Sequence, residues 1–174
     1  LYIADRHLGA TPPAAGWLSA ANVGDWDVRQ CRLHDDATRF QLDRHGTAIA
    51  GVIAANADNG QGISGIAPEA RLLALKACWQ VQDGADAAHC NSFTLAQALA
   101  SAVELKARII NLSLTGPPDP LLEALALQAM RAGIIIVGPT SDVPSFPGSL
   151  RNVLGVARSE DAAAIRAQIM TGCP

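Results

Sequence analysis

The apolar positions along the chain follow two periods, one typical of strands and one typical of helices. Five short apolar runs are predicted to be strands, at 1–4, 71–77, 109–114, 133–137 and 153–157. Between them, apolar residues recur at helical spacing in segments 45–55, 93–106 and 121–131. Strands that alternate with helices favour an α/β fold, with a mostly parallel sheet, right-handed crossovers and helices on both faces. Without an internal repeat or a linker, residues 1–174 are predicted to form one domain.

Residues with strong local preferences mark the ends of these elements. Ser92 is predicted to cap the helix over 93–106, because a serine side chain accepts hydrogen bonds from free amide groups at a helix start. Gly133 is predicted to end the helix over 121–131 in a left-handed conformation. Segment 56–65 is a loop rich in glycine and asparagine, and 17–44 is polar and irregular.

Ligand sites in parallel sheets lie at the carboxyl ends of the strands. Three places in this chain follow a predicted strand in that way: Asp5, the turn 113–116 and the turn 138–142. Because these ends meet at one edge of such a sheet, a functional site is expected there.

Composition narrows the class of protein. Hydrophobic residues make up 49% of the chain but aromatic residues only 4%, so the core is expected to consist of Ala, Leu, Ile and Val. The net charge is −3 and the basic residues are scattered, which argues against nucleic acid as a partner. The longest apolar runs are far shorter than a membrane span, so a membrane partner is not expected either.

The four cysteines allow two interpretations. None belongs to a Cys-x-x-Cys pair, so a zinc site, or any other metal site, is not expected. Cys78 and Cys90 flank a polar loop, QVQDGADAAH, and either form a disulfide or remain two free thiols. The disulfide would indicate a protein exported to the periplasm or secreted, because disulfides persist in oxidising compartments.

Three separated segments carry a family resemblance. The first is HGTAIAG at 45–51, followed by GISGIAP at 62–68 and RLLALK at 71–76. The second is INLSLTGP within 109–117, and the third comprises AGIIIV at 132–137, FPG at 146–148 and VLGV at 153–156. Their order and spacing over 40–160 resemble the subtilisin-like serine protease family, also called subtilases. The resemblance implies a subtilisin-like three-layer α/β fold.

The same resemblance implies hydrolysis of peptide bonds by an Asp/His/Ser mechanism, in which a His removes the Ser proton and an Asp orients the His. It makes His45 the general base. Asp5, at the end of the first strand, is the candidate orienting carboxylate. The residues after it, Arg6-His7-Leu8, depart from the small pair that the family carries there.

A second departure falls at the oxyanion position. Family members carry an Asn there, and counting along GPTSD from the fourth strand places Asp142 at the equivalent position. An ionised carboxylate cannot donate a hydrogen bond to the developing negative oxygen, and it would repel that oxygen. Either Asp142 weakens catalysis, or this loop is remodelled and the carboxylate faces solvent.

Substrate binding is implied for two segments. Ser113, Leu114, Thr115 and Gly116 would present backbone groups to an extended peptide, as in strand addition to a sheet edge. Gly138, Pro139 and Thr140 would form the opposite wall of the primary pocket. No cofactor is expected, because the oxygen atoms of Asn56, Asp58 and Asn59 fit a solvated polar loop better than a calcium site.

The nucleophile is missing from the sequence. No Gly-Thr-Ser motif occurs before Pro174, and Cys173 stands too early in the chain to replace it. The domain is therefore interpreted as truncated before its serine segment, and self-association through the incomplete sheet is expected. Two functions stay open, a serine endopeptidase domain and an inactive pseudoprotease that binds peptides or proteins. A nucleotide-binding α/β domain is disfavoured, because no glycine-rich phosphate turn follows the first strand.

Overall fold

A computed structural model describes residues 2–4, 24–27, 32–34, 44–80 and 88–158. These ranges contain nine strands and three helices. In chain order the elements are β1 (Tyr2–Ala4), β2 (Gly24–Asp27), β3 (Arg32–His34), α1 (Arg44–Ala54), β4 (Leu72–Lys76), β5 (Cys78–Gln80), β6 (Ala88–Cys90), α2 (Ser92–Glu104), β7 (Ile109–Asn111), α3 (Pro120–Arg131), β8 (Ile135–Pro139) and β9 (Leu154–Val156).

The main sheet has seven strands in the order β3-β2-β4-β1-β7-β8-β9. Five of the described strands, namely β2, β4, β7, β8 and β9, run in one direction, as their pairings require. The prediction of a mostly parallel sheet is therefore confirmed. The strands β1 and β3 run against the others, and the end of β1 lies beside the starts of its two neighbours, since Ala4 pairs with Leu72 and Ile109. Because β1 runs against its neighbours, its end lies at the edge opposite the carboxyl ends of β4 and β7, so the expectation that all three strand ends meet at one edge was wrong for β1. Asp5, the residue that follows β1, lies outside the described residues.

The hairpin of β2 and β3 falls within 17–44, which the sequence pattern left without regular structure. Each of these strands contains a single large apolar residue, Trp26 in one and Leu33 in the other, and the two residues pair directly. A period of two needs at least two repeats before it stands out from an irregular segment. The pattern therefore missed these strands because they are too short.

The core lies between the sheet and the two helices α2 and α3. Small residues on these helices are fully buried, among them Ala98, Ala102, Ala126 and Ala129. They contact the face of the sheet that carries Ile110 and Ile136, which expose none of their surface. Alanine allows a helix to approach a sheet closely, and each buried Ile or Leu contributes about 1.5–3 kcal/mol. The expected core of small aliphatic residues is thus present.

The starts of α2 and α3 are capped by side chains. Asn91 caps α2, since its Oδ1 atom accepts from the Thr94 N–H at 2.9 Å. The prediction of Ser92 as this cap was wrong by one residue, because Ser92 already belongs to the helix. Asp119 caps α3 by accepting from the N–H groups of Leu121 and Leu122 at 2.9 and 3.2 Å.

Ser92 instead links the two helix starts. Its side chain is hydrogen-bonded to the carboxylate of Asp119, and this bond, followed by the bonds from the Leu122 and Leu121 backbone, lowers the pKa of that carboxyl below 3.8. At the other end of α3, Gly133 adopts a φ of 82°, the left-handed conformation predicted for it.

The segment that follows α1 returns along the end of that helix. The N–H groups of Gly65, Ile66 and Ala67 donate to the carbonyls of residues 55, 52 and 53 at 2.8–3.0 Å. These bonds satisfy carbonyl groups that a helix end leaves without partners. A Cβ atom at Gly65 would overlap the backbone of residues 54 and 55, so only glycine allows this approach. This contact explains why the second glycine of the GISGIAP segment, Gly65, is a glycine.

A disulfide joins Cys78 to Cys90. This was one of the two interpretations that the sequence allowed. The two residues face each other across the β5–β6 hairpin. A second link lies beside it, because the Thr94 hydroxyl donates to the carbonyl of Ala77 at 2.8 Å in a buried position. The end of β4 and the start of α2 are therefore joined both covalently and by a buried hydrogen bond.

Replacing both cysteines, in a Cys78→Ser, Cys90→Ser double variant, is expected to lower the free energy of unfolding by about 2–3 kcal/mol, because the unfolded chain regains the freedom of a short closed loop. Urea unfolding followed by circular dichroism measures the change. The wild type in reductant should fall to the level of the variant, whereas the variant should not respond to reductant. Equal unfolding midpoints for wild type and variant without reductant would contradict the disulfide.

Candidate functional site

A cavity of about 380 Å³ opens at the carboxyl ends of β7, β8 and β9. Its walls come from two loops and the strand ends between them. The lining residues are Asn111, Ser113, Leu114, Thr115, Val137, Gly138, Pro139 and Val156. The site is therefore where the sequence analysis expected one, at the edge where the parallel strands end.

The cavity exists because β7 and β8 separate there. The N–H of Leu112 still donates to the Val137 carbonyl at 2.8 Å, one residue beyond the named strand. After that bond the chain turns away, and Gly116 forms an antiparallel bridge to Phe146 with two hydrogen bonds of 2.9 and 3.1 Å. Phe146 is 1% exposed and belongs to the core. The wall formed by 113–116 is thus anchored at both ends.

The opposite wall is held by close backbone packing. A Cβ atom at Gly138 would overlap the ring of Pro147, and one at Gly148 would overlap the Pro139 carbonyl. Beyond the strand, the N–H of Thr140 donates to the Val156 carbonyl at 3.0 Å. These contacts hold β8 and the following loop against their neighbours, so that this wall also has a defined position.

A polar pair lies in the otherwise largely apolar lining. The side-chain amide of Asn111 donates from Nδ2 to the Ser113 Oγ atom at 2.8 Å, and both side chains are half-buried. Among the described residues that line the cavity, none carries an ionisable side chain. Any charge that acts at this site therefore has to come from outside the lining.

The substrate-binding residues suggested by the sequence fall into two groups. Five of them line the cavity, namely Ser113, Leu114, Thr115, Gly138 and Pro139. Gly116 and Thr140 do not line it but hold the two walls through the hydrogen bonds described above. The structure thus brings both predicted segments to one cavity, and their role in binding a peptide stays a prediction.

Sequence reasoning missed three of the lining residues, namely Asn111, Val137 and Val156. Asn111 carried a signal, because it is the polar residue at which an apolar strand ends. The two valines carried none, since they resemble every other valine in a strand of this sheet.

The candidate catalytic residues lie apart from the lining. His45 is the second residue of α1, and its side chain is exposed. Asp142 is exposed in the turn after β8, next to Ser141, whose hydroxyl donates to the Val143 carbonyl at 3.1 Å. Asp5 lies outside the described residues. The structure therefore places two of these three residues at the surface and does not join them to each other.

Neither a metal centre nor a membrane-spanning helix is found in the part of the chain that the structure describes. Within the described ranges, no group of three or more His, Cys, Asp or Glu side chains is arranged to hold a metal ion. In the 56–65 loop, Asn59 Oδ1 accepts from the Gln61 N–H at 2.9 Å. None of the three described helices is long and apolar enough to cross a membrane.

Comparison with known families gives a match between residues 22–168 and the model of the Subtilase family, Peptidase_S8. The chain belongs to the subtilase family. The match includes all three sequence segments and the whole cavity lining, which confirms the family suggested by the sequence. Asp5 lies ahead of the matched residues.

Individual subtilases agree with this assignment. The chain is 29% identical to thermitase of Thermoactinomyces vulgaris over 148 residues, which are 82% of this chain and 50% of thermitase. It is 40% identical to the major intracellular serine protease of Bacillus subtilis (strain 168) over 94 residues, which are 53% of this chain and 28% of that protein. The chain thus spans half the length, or less, of these curated relatives.

Solved structures show the same fold. The prenylagaramide maturation protease PagA superposes with a TM-score of 0.51 at 25% identity, covering 64% of this chain and 41% of PagA. The S218A mutant of the protease domain of PatA gives a TM-score of 0.54 at 22% identity, covering 66% of this chain and 42% of that one. The subtilisin-like α/β fold, with part of the sheet of its relatives, is therefore confirmed.

Proposed function

We propose that this chain is the substrate-binding and base-bearing part of a subtilisin-like serine endopeptidase, whose nucleophilic serine is not among these residues. The observation that carries the proposal is the free backbone at 113–115. Among the described residues, none forms a hydrogen bond to the peptide groups of these three positions. A run of unpaired peptide groups beside a cavity is suited to pair with an extended substrate.

Peptide binding follows from this geometry. An extended peptide adds to 113–115 as a further strand, and main-chain hydrogen bonds hold it irrespective of its sequence. One of its side chains enters the cavity between Leu114 and Pro139. The bridge between Gly116 and Phe146 keeps the receiving edge in place before the peptide arrives, which reduces the entropy lost on binding.

Hydrolysis requires the groups outside the lining. In this proposal His45 removes the proton of the serine nucleophile and returns it to the leaving amine, while an Asp orients the imidazole and stabilises its charged form. Asp5 stays the candidate from the sequence, although the strand before it ends at the edge of the sheet opposite the cavity. The exposed position of His45 at the first turn of α1 leaves its ring accessible to a substrate and to a serine from elsewhere.

His45→Ala is expected to lower turnover of an unfolded protein substrate by about 10⁵-fold or more, because no other group takes the serine proton. The test uses the longest protein that the gene encodes, with a fluorophosphonate that labels activated serines as a second readout. His89→Ala, which removes an exposed histidine of β6, is the matched control and should keep full activity. Unchanged cleavage and labelling in His45→Ala would contradict the assignment.

A second candidate function rests on Asp142. Counting along the chain from β8 assigns this residue to the position at which the family carries an Asn donor, and its exposed carboxylate cannot donate when ionised. The chain would then be a pseudoprotease, which binds peptides or proteins at the same edge without cleaving them.

Asp142→Asn separates the two functions. If the full-length protein is an endopeptidase, the added amide donor is expected to raise kcat about 100- to 1000-fold, with little change in peptide affinity. Asp58→Asn, in another exposed loop, is the control for the change in net charge. Peptide binding without cleavage in both the wild type and Asp142→Asn would favour the pseudoprotease. An active enzyme whose kcat does not respond would show that Asp142 is not at the oxyanion position.

Export is proposed on the strength of the disulfide, because such bonds persist in oxidising compartments. The relatives include proteins named as intracellular and one named a minor extracellular protease, so the family alone favours neither location.

Self-association also stays a prediction. It is supported by Ile135 and Leu154, whose side chains are 53% and 59% exposed on the main sheet.

A further inference from the structure

We propose that the cavity selects peptides that place an uncharged carboxamide side chain, Gln or Asn, between its two walls. The inference rests on the proposed peptide-binding edge at 113–115 and names the class of substrate that this edge presents to the cavity. It is drawn from the residues that line the cavity and from the hydrogen bonds that they leave unmade.

Charged side chains are disfavoured by the lining. None of the described lining residues is ionisable, and four of them, Leu114, Val137, Pro139 and Val156, present apolar surface. A Lys, Arg, Asp or Glu side chain that enters such a cavity loses water without gaining an opposite charge, which is costly. The cavity therefore discriminates against peptides with a charge at the position that fills it.

The polar pair adds a preference among uncharged side chains. As placed, Asn111 Nδ2 donates to Ser113 Oγ, which leaves the second amide hydrogen, the Ser113 hydroxyl hydrogen and the Asn111 Oδ1 atom without partners among the described residues. If the amide is turned over, the hydroxyl donates to Oδ1 and the amide hydrogens and Oγ are left. In either orientation the pair offers the cavity at least one donor and at least one acceptor.

A carboxamide complements that arrangement. Its carbonyl accepts from the free donor and its NH₂ group donates to the free acceptor, so that two hydrogen bonds form at one end of the side chain. A methionine of similar length leaves both groups of the pair desolvated and unpaired, and such a loss weakens binding strongly. The Asn111–Ser113 pair is thus the specificity-determining feature of the cavity.

The test measures fluorescence anisotropy of the 174-residue chain with labelled, end-capped peptides of sequence Ser-Ala-Ala-X-Ala-Ser. The four peptides carry Gln, Met, Glu or Lys at X. The Gln peptide is expected to bind about tenfold more tightly than each of the others. Ser113→Ala should reduce the gap between Gln and Met, because the Gln peptide loses a hydrogen bond and the Met peptide no longer leaves the Ser113 hydroxyl unpaired. Ser149→Ala, which removes an exposed hydroxyl outside the lining, should change nothing.

A second variant tests the electrostatic part independently. Val156→Glu places a carboxylate in the lining at a side chain that is 57% exposed and therefore tolerant of substitution. It should shift the preference from Gln to Lys, whereas Leu154→Glu, two residues earlier on the same strand and outside the lining, should not.

The binding measurements distinguish a failure of the proposed side-chain preference from a failure of the proposed peptide-binding edge. A Gln preference that disappears in Ser113→Ala supports the inference. Equal binding of Gln and Met, or Glu or Lys peptides that bind as tightly as Gln, would overturn the inference while the peptide-binding edge stands. Failure of all four peptides to bind would overturn the edge at 113–115, and the inference with it.

Discussion

The separation of β7 from β8 is the constraint on which the rest of the site depends. The two strands stay paired as far as the bond from the Leu112 N–H to the Val137 carbonyl, and the cavity begins directly after it. Ile110 and Ile136 hold both strands on the core formed with α2 and α3, so the point of separation is set by hydrophobic packing. The bridge from Gly116 to Phe146 then returns the chain to the core. The free peptide groups of 113–115 are thereby flanked on both sides by residues that are packed and hydrogen-bonded.

The residues that identify the family are different from the residues on which catalysis would depend. The family match covers segments that build the frame, including the return of Gly65 along α1 and the close packing at Gly138 and Gly148. Catalysis depends on other residues, which a subtilase keeps or loses without changing that frame. A fold can therefore persist where the chemistry has changed, and function has to be argued from the site. In this chain the distinction bears on the role proposed for Asp142.

Most of the fold was predictable because its long elements carry strong periodic signals. The helices, β4, β7, β8 and β9 were found from apolar spacing, and Gly133 from its conformational preference. The strand pairs β2–β3 and β5–β6 were not found, because strands of three or four residues are too short to show a period. The cap of α2 was misplaced by one residue because Asn91 and Ser92 are both good capping residues, and only the backbone decides between them. Both walls of the cavity were predicted, whereas the Asn111–Ser113 contact depends on side-chain geometry that spacing does not encode.

The central claim is that the peptide groups of 113–115 receive the substrate as an added strand. Amide hydrogen exchange by NMR, on the chain with and without a saturating extended peptide, tests it most directly. Successive N–H groups of an extended segment point to opposite sides, so an added strand pairs with every second residue. The account therefore predicts slower exchange at one of the two neighbouring backbone amides, Leu114 or Thr115, with no change in the exposed 57–62 loop. Binding of the peptide without any slowing at these two amides would contradict the account.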